Sequence, residues 1–463
     1  MILKKFIGDR NFYRTVFAIA VPIMIQNGIT NFVALLDNIM VGQLGTEQMS
    51  GTAVTNQLLF VFNLCVFGLL AGPGIFGAQF FGKGSHEGVR DVFRFKILIG
   101  VLALAAGITI LSIFGDGLIN SYLTGEGQEG DRNLIFKSGK EYLTIMLVGL
   151  IPFTATQIYA STLRETNCTV PPMFAGLAAV LVNLVLDWAL IFGRLGLPQM
   201  GVKGAALATV IARFVECTIV IVYTHSKRDK NIFISNAFRS LKVPRDLAVK
   251  IIISGLPLAV NEFFWSSGMA KLNQCYSQKG LEVVAATNIS STILNLFNVV
   301  YIALGSAVGI IVGQILGSGD MKRAKETDTK LIAFSIAAGA VTGCIMAALS
   351  EAFPMLYDTT EQVRGLASHF IIILAFFIPL HAFMNAAYFT LRSGGQTYVT
   401  LIFDSVFMWI VSVPTAMLLV KFTSLDITMV FFICHAVDII KVAIGLFLLK
   451  KGVWLRNIVS EEK

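Results

Sequence analysis

Four polar side chains in the first half of the chain have the types and spacing of a proton or cation site. They are Asp37, Asn183, Asp187 and Thr209, and each lies in an apolar run of about 20 residues or more, the length of a membrane-spanning helix. A carboxylate inside hydrocarbon costs at least about 2.5 kcal/mol, so a membrane helix retains one only beside a partner or water. Asn183 and Asp187 are four residues apart and therefore share one helix face. With the first and fifth helices running outward and the sixth running inward, all four side chains fall at a similar depth.

Two carboxyl groups that share a site of low dielectric cannot both stay charged without a counter-ion. One of Asp37 and Asp187 therefore takes a proton, or both bind a cation such as Na⁺ through hard oxygen ligands. Pro22 precedes Asp37 in the same predicted helix and supplies a hinge there. The alternative is that backbone groups or water satisfy each acid separately, and that Thr209 bonds to its own helix.

The second half of the chain contains weaker candidates. Asn261 and Glu262 lie near the middle of one apolar run, and Asp404 lies in another. We treat these three residues as a candidate second polar site. Asp438 and Lys441, three residues apart in the last apolar run, are expected to form a structural ion pair.

Signals for other chemistries do not occur in the sequence. The glycines between positions 72 and 84 are not followed by GKS or GKT, so they predict close helix packing and a tight turn, not a phosphate loop. The five histidines are dispersed without metal-ligand spacing, and the six cysteines form no CxxC pair. We therefore expect no enzyme activity, no cofactor other than the coupling ion, and no metal site other than Na⁺ at the four residues named first.

The composition places the chain in the membrane. It has 463 residues, of which 55% are hydrophobic and 14% charged, and its mean hydropathy is +0.75. Soluble domains carry about 25% charged residues. The net charge of +8 does not indicate a nucleic-acid partner, because the basic residues lie in short loops between apolar runs. No cleavable signal peptide is expected, since the first apolar run is too long and lacks a small-residue cleavage site.

Twelve apolar runs predict twelve membrane helices. They lie near residues 15–40, 52–76, 93–115, 142–165, 170–193, 203–225, 249–274, 286–312, 331–350, 367–391, 396–419 and 427–449. With both termini in the cytoplasm, the inside segments hold 25 of the 36 basic residues. This asymmetry favours an even number of spans with both ends inside, as expected for a multi-pass protein of the cytoplasmic membrane.

The predicted domains are an N-terminal six-helix bundle over residues 1–225, a cytoplasmic linker over 226–248 and a C-terminal six-helix bundle over 249–463. The linker contains Phe233, Phe238 and Leu241 among basic residues. Such a segment is typical of the membrane interface. A solvated linker is the alternative.

The chain repeats itself. With a shift of 235 residues, Pro22 aligns with Pro257, and the matches include Gly45 with Gly280, Gln79 with Gln314, Gly82 with Gly317 and Gly84 with Gly319. Six predicted helices separate the copies, so both copies insert in the same direction. Parallel repeats of this kind are a transporter architecture.

Several stretches resemble the multidrug and toxic compound extrusion (MATE) family. They are PIMIQNGITNFVALLDNIMVGQLGTE, GAQFFGKG with its twin VGQILGSG, NLVLDWALIFG and MGVKGAALATVIAR. The resemblance implies two six-helix bundles around a central cavity, and export of organic cations and other amphipathic compounds in exchange for H⁺ or Na⁺. In the branches that resemble DinF proteins, it implies a coupling group that corresponds here to Asp37, Asn183 and Asp187, with Pro22 as the hinge and Thr209 nearby.

The sequence departs from the branch that resembles NorM, which uses acids in its helices 7 and 10. The run 367–391 contains no acid, and Glu262 lies closer to its proline than that pattern expects. We therefore expect coupling in the first half, by H⁺ in preference to Na⁺, in a monomer whose partners are the bilayer and small amphipathic substrates.

Four other kinds of membrane protein fit the sequence less well. A flippase for lipid-linked oligosaccharides, of the same superfamily, requires a more cationic cavity than these spans provide. A passive channel does not require buried acids in duplicated halves. A membrane enzyme requires a cluster of histidines or acids at an interface. A major-facilitator transporter requires an acidic and basic signature that GKGSHEGVR lacks.

Overall fold

The computed structural model describes residues 6–122 and 131–460. Within these ranges, twelve helices are long and apolar enough to cross a membrane, which confirms the predicted number and the all-α fold class. The helices are α1 (Arg10–Gly42), α2 (Thr46–Lys83), α3 (His86–Tyr122), α4 (Arg132–Glu165), α5 (Val170–Phe192), α6 (Val202–Ser226), α7 (Arg245–Ser277), α8 (Leu281–Ser318), α9 (Met321–Ala348), α10 (Glu361–Ser393), α11 (Thr397–Phe422) and α12 (Ile427–Lys451). A helix satisfies its backbone polar groups internally, which is the requirement that hydrocarbon imposes on these apolar segments. The orientation of the termini stays a prediction.

The internal repeat is visible in the bounds of the helices. α1 and α7 each have 33 residues, α2 and α8 each have 38, and each pair begins and ends at positions that are 235 residues apart. The connections repeat as well. Gly45 and Gly280 have φ of 133° and 125°, and Gly84 and Gly319 have φ of 76° and 86°. Because L-residues rarely adopt positive φ, the two glycine pairs fix the same turns in both copies.

The inner ends of α2 and α8 cross at two glycines that are equivalent in the repeat. A Cβ atom on Gly82 would overlap with the backbone carbonyl of Gln314, and one on Gly317 would overlap with the carbonyl of Gln79. Each glycine therefore allows the close approach of the helix that carries the other. The Gln79 side chain extends this crossing, since its Nε2 donates to the Ser393 carbonyl at 2.8 Å. The close helix packing predicted for the glycines between 72 and 84 is confirmed at Gly82.

The chain forms two compact units. The first, the α7–α12 unit, consists of Met1–Met24, Ala78–Ser85 and Lys250–Lys463, and the second, the α2–α6 unit, consists of Ile25–Gly77 and His86–Val249. α1 contributes to both units: its residues up to Met24 belong to the α7–α12 unit, and its residues from Ile25 belong to the α2–α6 unit. In the α7–α12 unit, Val16 and Ile19 belong to a buried apolar cluster with residues of α8 and α10. The predicted division of the chain at 226–248 stays a prediction.

The segment 226–248 is packed at one of its three hydrophobic residues and exposed at the other two, since Phe238 and Leu241 are 54% and 43% exposed. Phe233 is only 2% exposed, and its ring lies 5.3 Å from that of Phe93 on α3. Arg94 donates to the backbone carbonyls of Asn236 and Ala237 at 2.8 and 2.9 Å. The segment thus folds back onto α3, because the Phe233 ring and the two hydrogen bonds from Arg94 hold it there. It is therefore not a freely solvated linker, and the interfacial location stays a prediction for Phe238 and Leu241.

Lys96, near the start of the predicted span 93–115, carries a charge into the interior of the helix bundle. The side chain is fully buried on α3, and Nζ lies 2.6 and 2.7 Å from the two carboxylate oxygens of Glu165 on α4. The Ser161 and Thr162 hydroxyls lie 3.1 Å from the same nitrogen. This network satisfies the charge of a lysine that has left water, which is the condition for keeping it in an apolar environment.

α11 and α12 are irregular. α11 contains two π-helical turns, Ile402–Val406 and Met408–Ser412, and α12 is interrupted at Val437. Turns of this type redirect side chains and occur frequently at functional sites. Asp404 lies inside the first π-helical turn, and Asp438 follows the interruption directly.

Candidate coupling site

Three of the four residues predicted for the first-half site come from helices of the α2–α6 unit, and Asp37 comes from the part of α1 that belongs to the same unit. The Asp37 and Asp187 carboxyl groups lie close enough to interact directly. Asp187 is 1% exposed, and Asp37 is half-buried. The structure therefore brings the two predicted acids together.

Asn183 and Thr209 lie beside this pair. Asn183 is 5% exposed and its amide also interacts with Asp187, one helical turn further along α5. Its Nδ2 is 3.5 Å from Oγ1 of Thr209, and the Thr209 hydroxyl donates to the Ala205 carbonyl of its own helix at 3.0 Å. The expected hydrogen bond from Thr209 to its own helix uses the hydroxyl hydrogen, and it leaves the lone pairs of the hydroxyl oxygen free to accept from Asn183.

The carboxylate oxygens of this site are short of partners. Both oxygens of Asp187 and Oδ1 of Asp37 are buried, and none of the three accepts a hydrogen bond from the described residues. A buried ionised carboxylate without a donor costs several kcal/mol. A proton shared by the pair would remove one charge and supply a donor between the two groups, and a bound cation would neutralise them by direct ligation.

Sequence reasoning missed Tyr142. This residue of α4 is buried, lies beside Thr209 and is within electrostatic range of both carboxyl groups and of Arg213. Arg213 itself points towards α4, where its Nη1 donates to the Gly149 carbonyl at 3.2 Å and its guanidinium lies 5.1 Å from the centre of the Phe153 ring. Tyr142 is the first residue of a predicted span, where tyrosine is typical of the membrane interface, so its position did not single it out.

Pro22 lies inside α1, as predicted. Proline lacks an N–H and its ring crowds the preceding turn, so a helix bends more readily at this point. The helix beyond Pro22 carries Asp37, whereas the helix before it packs in the α7–α12 unit. Pro22 therefore lies between the part of α1 that belongs to the α7–α12 unit and the part that carries Asp37, and its role as a hinge stays a prediction.

The second predicted polar site assembles in part. Asn261 is buried on α7, and its Nδ2 lies 3.2 Å from Oδ2 of Asp404. The Ser405 hydroxyl donates to the backbone and side-chain oxygens of Asn261 at 2.8 and 2.7 Å. The π-helical turn of α11 makes this possible, because it aims Asp404 and Ser405 at the same neighbour. Glu262 is half-buried beside Asn261, within electrostatic range of Arg392 and Asp404.

The expected ion pair between Asp438 and Lys441 has different partners. Lys441 Nζ lies 2.5 Å from Oδ1 of Asp404, so the lysine bridges α12 to α11. Asp438 Oδ2 lies 3.6 Å from Nε2 of His381 on α10. A spacing of three residues allows contact along one helix, but in a packed bundle the neighbouring helices compete for the same side chains.

The family follows from a comparison with known sequences. The MatE family model matches residues 22–189 and 257–418, which together are more than half of the chain. The chain therefore belongs to the MATE family of membrane transporters that its motifs resemble. A relative from Thermotoga maritima, named probable multidrug resistance protein NorM, is 26% identical over 413 residues, which are 88% of this chain and 86% of the relative.

Solved structures share the fold. One is described as the outward-facing conformation of a multidrug resistance MATE family transporter of the MOP superfamily, and it superposes with a TM-score of 0.86 at 19% identity over 99% of both chains. Another, MATE in the bent conformation, superposes with a TM-score of 0.83 at 19% identity over 97% of this chain and 98% of the other. Identities this low establish the fold alone.

Proposed function

We propose that this chain is a secondary active exporter of organic cations and other amphipathic compounds, and that it exchanges them for H⁺ at Asp37 and Asp187. One observation carries the proposal: two carboxyl groups face each other on α1 and α5, and three of their oxygens are buried without a hydrogen bond from the described residues. Replacing such a pair of acids by apolar residues would stabilise the fold, so the pair is better explained by a function than by stability. Names such as multidrug resistance protein among the relatives support efflux as the activity.

The exchange works through the protonation state of the pair. With the acids deprotonated, their negative charge favours a cationic substrate and a straight α1. Protonation removes that attraction and allows α1 to bend at Pro22, which displaces the substrate outward. The ion can shift this equilibrium only by its different affinity for the two conformations, and the change in charge at Asp37 provides that difference.

Na⁺ is the competing coupling ion. Hard oxygens for it are available from Asp37, Asp187, the Asn183 amide and the Thr209 hydroxyl, which lie around one point of the α2–α6 unit. Na⁺ and H⁺ predict different driving gradients, so transport distinguishes them. Coupling in the first half also places the chain in the branch that resembles DinF, which is part of the proposal although relatives of the chain carry the name NorM.

The proposal extends to the setting of the protein. It acts as a monomer in the cytoplasmic membrane with both termini inside, needs no cofactor beyond the coupling ion, and catalyses no covalent reaction. The orientation is supported by the distribution of basic residues, and the need for no further cofactor by a site composed of carboxyl, amide and hydroxyl groups.

Transport in proteoliposomes tests the proposal. Efflux of a fluorescent cationic dye is measured under an imposed pH gradient and, separately, under a Na⁺ gradient, for the wild type, Asp37→Asn and Asp187→Asn. The matched control is Asp116→Asn, which changes an exposed carboxylate on α3 that pairs with Lys140. We expect efflux under the pH gradient, loss in both site variants and wild-type rates in the control.

Three outcomes contradict the proposal in different ways. Wild-type rates in Asp37→Asn would remove that acid from coupling. Efflux under the Na⁺ gradient alone would change the ion but keep the site. No dye movement under either gradient would indicate a different cargo, and a lipid-linked substrate would then be assayed for flipping.

A further inference from the structure

Two histidines and an aspartate that are far apart in the sequence come together in the α7–α12 unit. One ligating atom from each of His381, His435 and Asp438 lies within 4.8 Å of the other two. Nε2 of His381 is 3.6 Å from Oδ2 of Asp438, and the His381 and His435 ring centres are 5.7 Å apart. All three residues are half-buried. None of them takes part in the Asp37 and Asp187 site.

The fold builds this cluster from two helix irregularities. His381 follows Pro379 by two residues in α10. His435 and Asp438 flank Val437, where the regular hydrogen bonding of α12 is interrupted, and their spacing of three residues places them on one face. Both His435 and Asp438 can therefore face α10 in the same layer.

Aromatic side chains hold His435 in position. The Phe377 ring stacks against it with centres 5.9 Å apart, and the Phe431 ring packs edge-on at 4.7 Å. An imidazole fixed in this way loses little further freedom when a ligand binds, which favours affinity. An apolar surrounding also strengthens the attraction between a cation and its ligands.

We propose that His381, His435 and Asp438 bind a divalent transition-metal ion, with Zn²⁺ as the best match. Two imidazoles and one carboxylate are the ligand types of three-residue zinc sites, in which a fourth position stays open to water or another ligand. Zn–ligand bonds of about 2.0–2.1 Å in a tetrahedron place neighbouring ligand atoms roughly 3.3 Å apart. The separation of His381 and Asp438 is already near that value, so small side-chain rotations complete the site.

The neighbouring charges permit a divalent ion. Lys441, one turn after Asp438, is the closest basic residue on α12, and Asp404 neutralises it at 2.5 Å. Asp438 supplies one negative charge to the metal, and the neutral imidazoles supply nitrogen donors. Na⁺, Mg²⁺ and Ca²⁺ prefer an all-oxygen shell, so the nitrogen donors select against them.

Metal binding is measured on the purified full chain in detergent, prepared without a histidine tag. Zn²⁺ is titrated by calorimetry, and Co²⁺ replaces it for visible absorption, which reports the coordination geometry. The variants are His381→Gln, His435→Gln and Asp438→Asn. The matched control is His369→Gln, which removes an exposed histidine from the same helix as His381.

We expect one Zn²⁺ per chain in the wild type and in His369→Gln, with an affinity at least tenfold lower in each of the three site variants. Co²⁺ should give the absorption of a tetrahedral site in the first two proteins only. No binding, or weak binding that is equal in all five proteins, would overturn the site and indicate surface coordination only. Melting curves without metal identify a variant that fails to fold, and the remaining two then decide the result.

This test is independent of transport. A protein that exports dye but binds no Zn²⁺ would leave the proposed function intact and refute the metal site. A protein that binds Zn²⁺ at these residues but moves no dye would do the reverse.

Discussion

The buried ion pair between Lys96 and Glu165 makes a quantitative prediction. Lys96 is fully buried, and Nζ contacts both Glu165 oxygens and two hydroxyl groups within 3.1 Å. Lys96→Met removes the positive charge and leaves a buried carboxylate, whereas Glu165→Gln leaves a buried ammonium. Breaking a buried pair on one side costs about 3–5 kcal/mol, because the remaining charge has lost the partner that faced it most closely.

The double variant should be far less destabilised than the sum of the single variants. Lys96→Met with Glu165→Gln removes both charges of this pair, and the Gln amide keeps the shape of the carboxylate. We expect a coupling energy of at least about 2 kcal/mol from the double-mutant cycle. The exposed pair of Lys140 and Asp116, with side chains 51% and 53% exposed, provides the matched cycle, for which we expect a coupling below about 1 kcal/mol.

The assay is unfolding in detergent, followed by tryptophan fluorescence during an SDS titration, for both sets of variants at one ionic strength. A coupling energy for the buried pair that is no larger than that of the exposed pair would refute the reasoning. A decrease of less than about 1 kcal/mol in the free energy of unfolding of either single variant would also refute it, because an unpaired buried charge would then carry no penalty.

Three further predictions concern the packing, a helix cap and the segment 226–248. Gly82→Ala should destabilise the chain by about 1–3 kcal/mol through overlap with a backbone carbonyl, whereas Gly117→Ala, in open space on α3, should be neutral or stabilising in the same titration. The bonds that Thr428 donates hold the pKa of Asp426 below its ordinary value, so the charged cap stabilises α12. Asp426→Ala should therefore cost about 1 kcal/mol at neutral pH, and the difference from wild type should disappear as the pH falls below about 3.9. Arg94→Ala should accelerate tryptic cleavage within 226–248 while the rates at other sites stay constant. An unchanged pattern would mean that the hydrogen bonds from Arg94 do not hold the segment.

Much of the fold follows from the sequence because its causes are local. A run of apolar residues has to be helical in hydrocarbon, so the twelve helices follow from length and hydropathy alone. The repeat was visible because Gly45, Gly84 and their partners mark turns that need positive φ. Asp37 and Asp187 were identifiable as a pair because unpaired acids are expensive in a membrane.

The remaining features depend on which helix faces meet, and the sequence does not encode that in any short window. The buried ion pair of Lys96 is not recognisable in the sequence, because its partner Glu165 lies 69 positions away on another helix. His381 and His435 looked dispersed for the same reason. The π-helical turns of α11 shift the register of Asp404 by a fraction of a turn, which a regular 3.6-residue period does not anticipate.

The crossing of α2 and α8 bears on how such a protein could arise. Gly82 packs on Gln314, and Gly317 packs on Gln79. Since the repeat pairs Gly82 with Gly317 and Gln79 with Gln314, the same contact occurs twice with the two copies exchanged. That reciprocity defines an isologous contact, the kind that two identical subunits make across a twofold axis. A half-length ancestor could have used this one glycine twice in a homodimer before gene fusion joined the copies. Within one chain each copy can change alone, and the equivalent helices do differ: α1 and α5 carry Asp37 and Asp187, whereas α7 and α11 carry Asn261 with its partners Asp404 and Ser405.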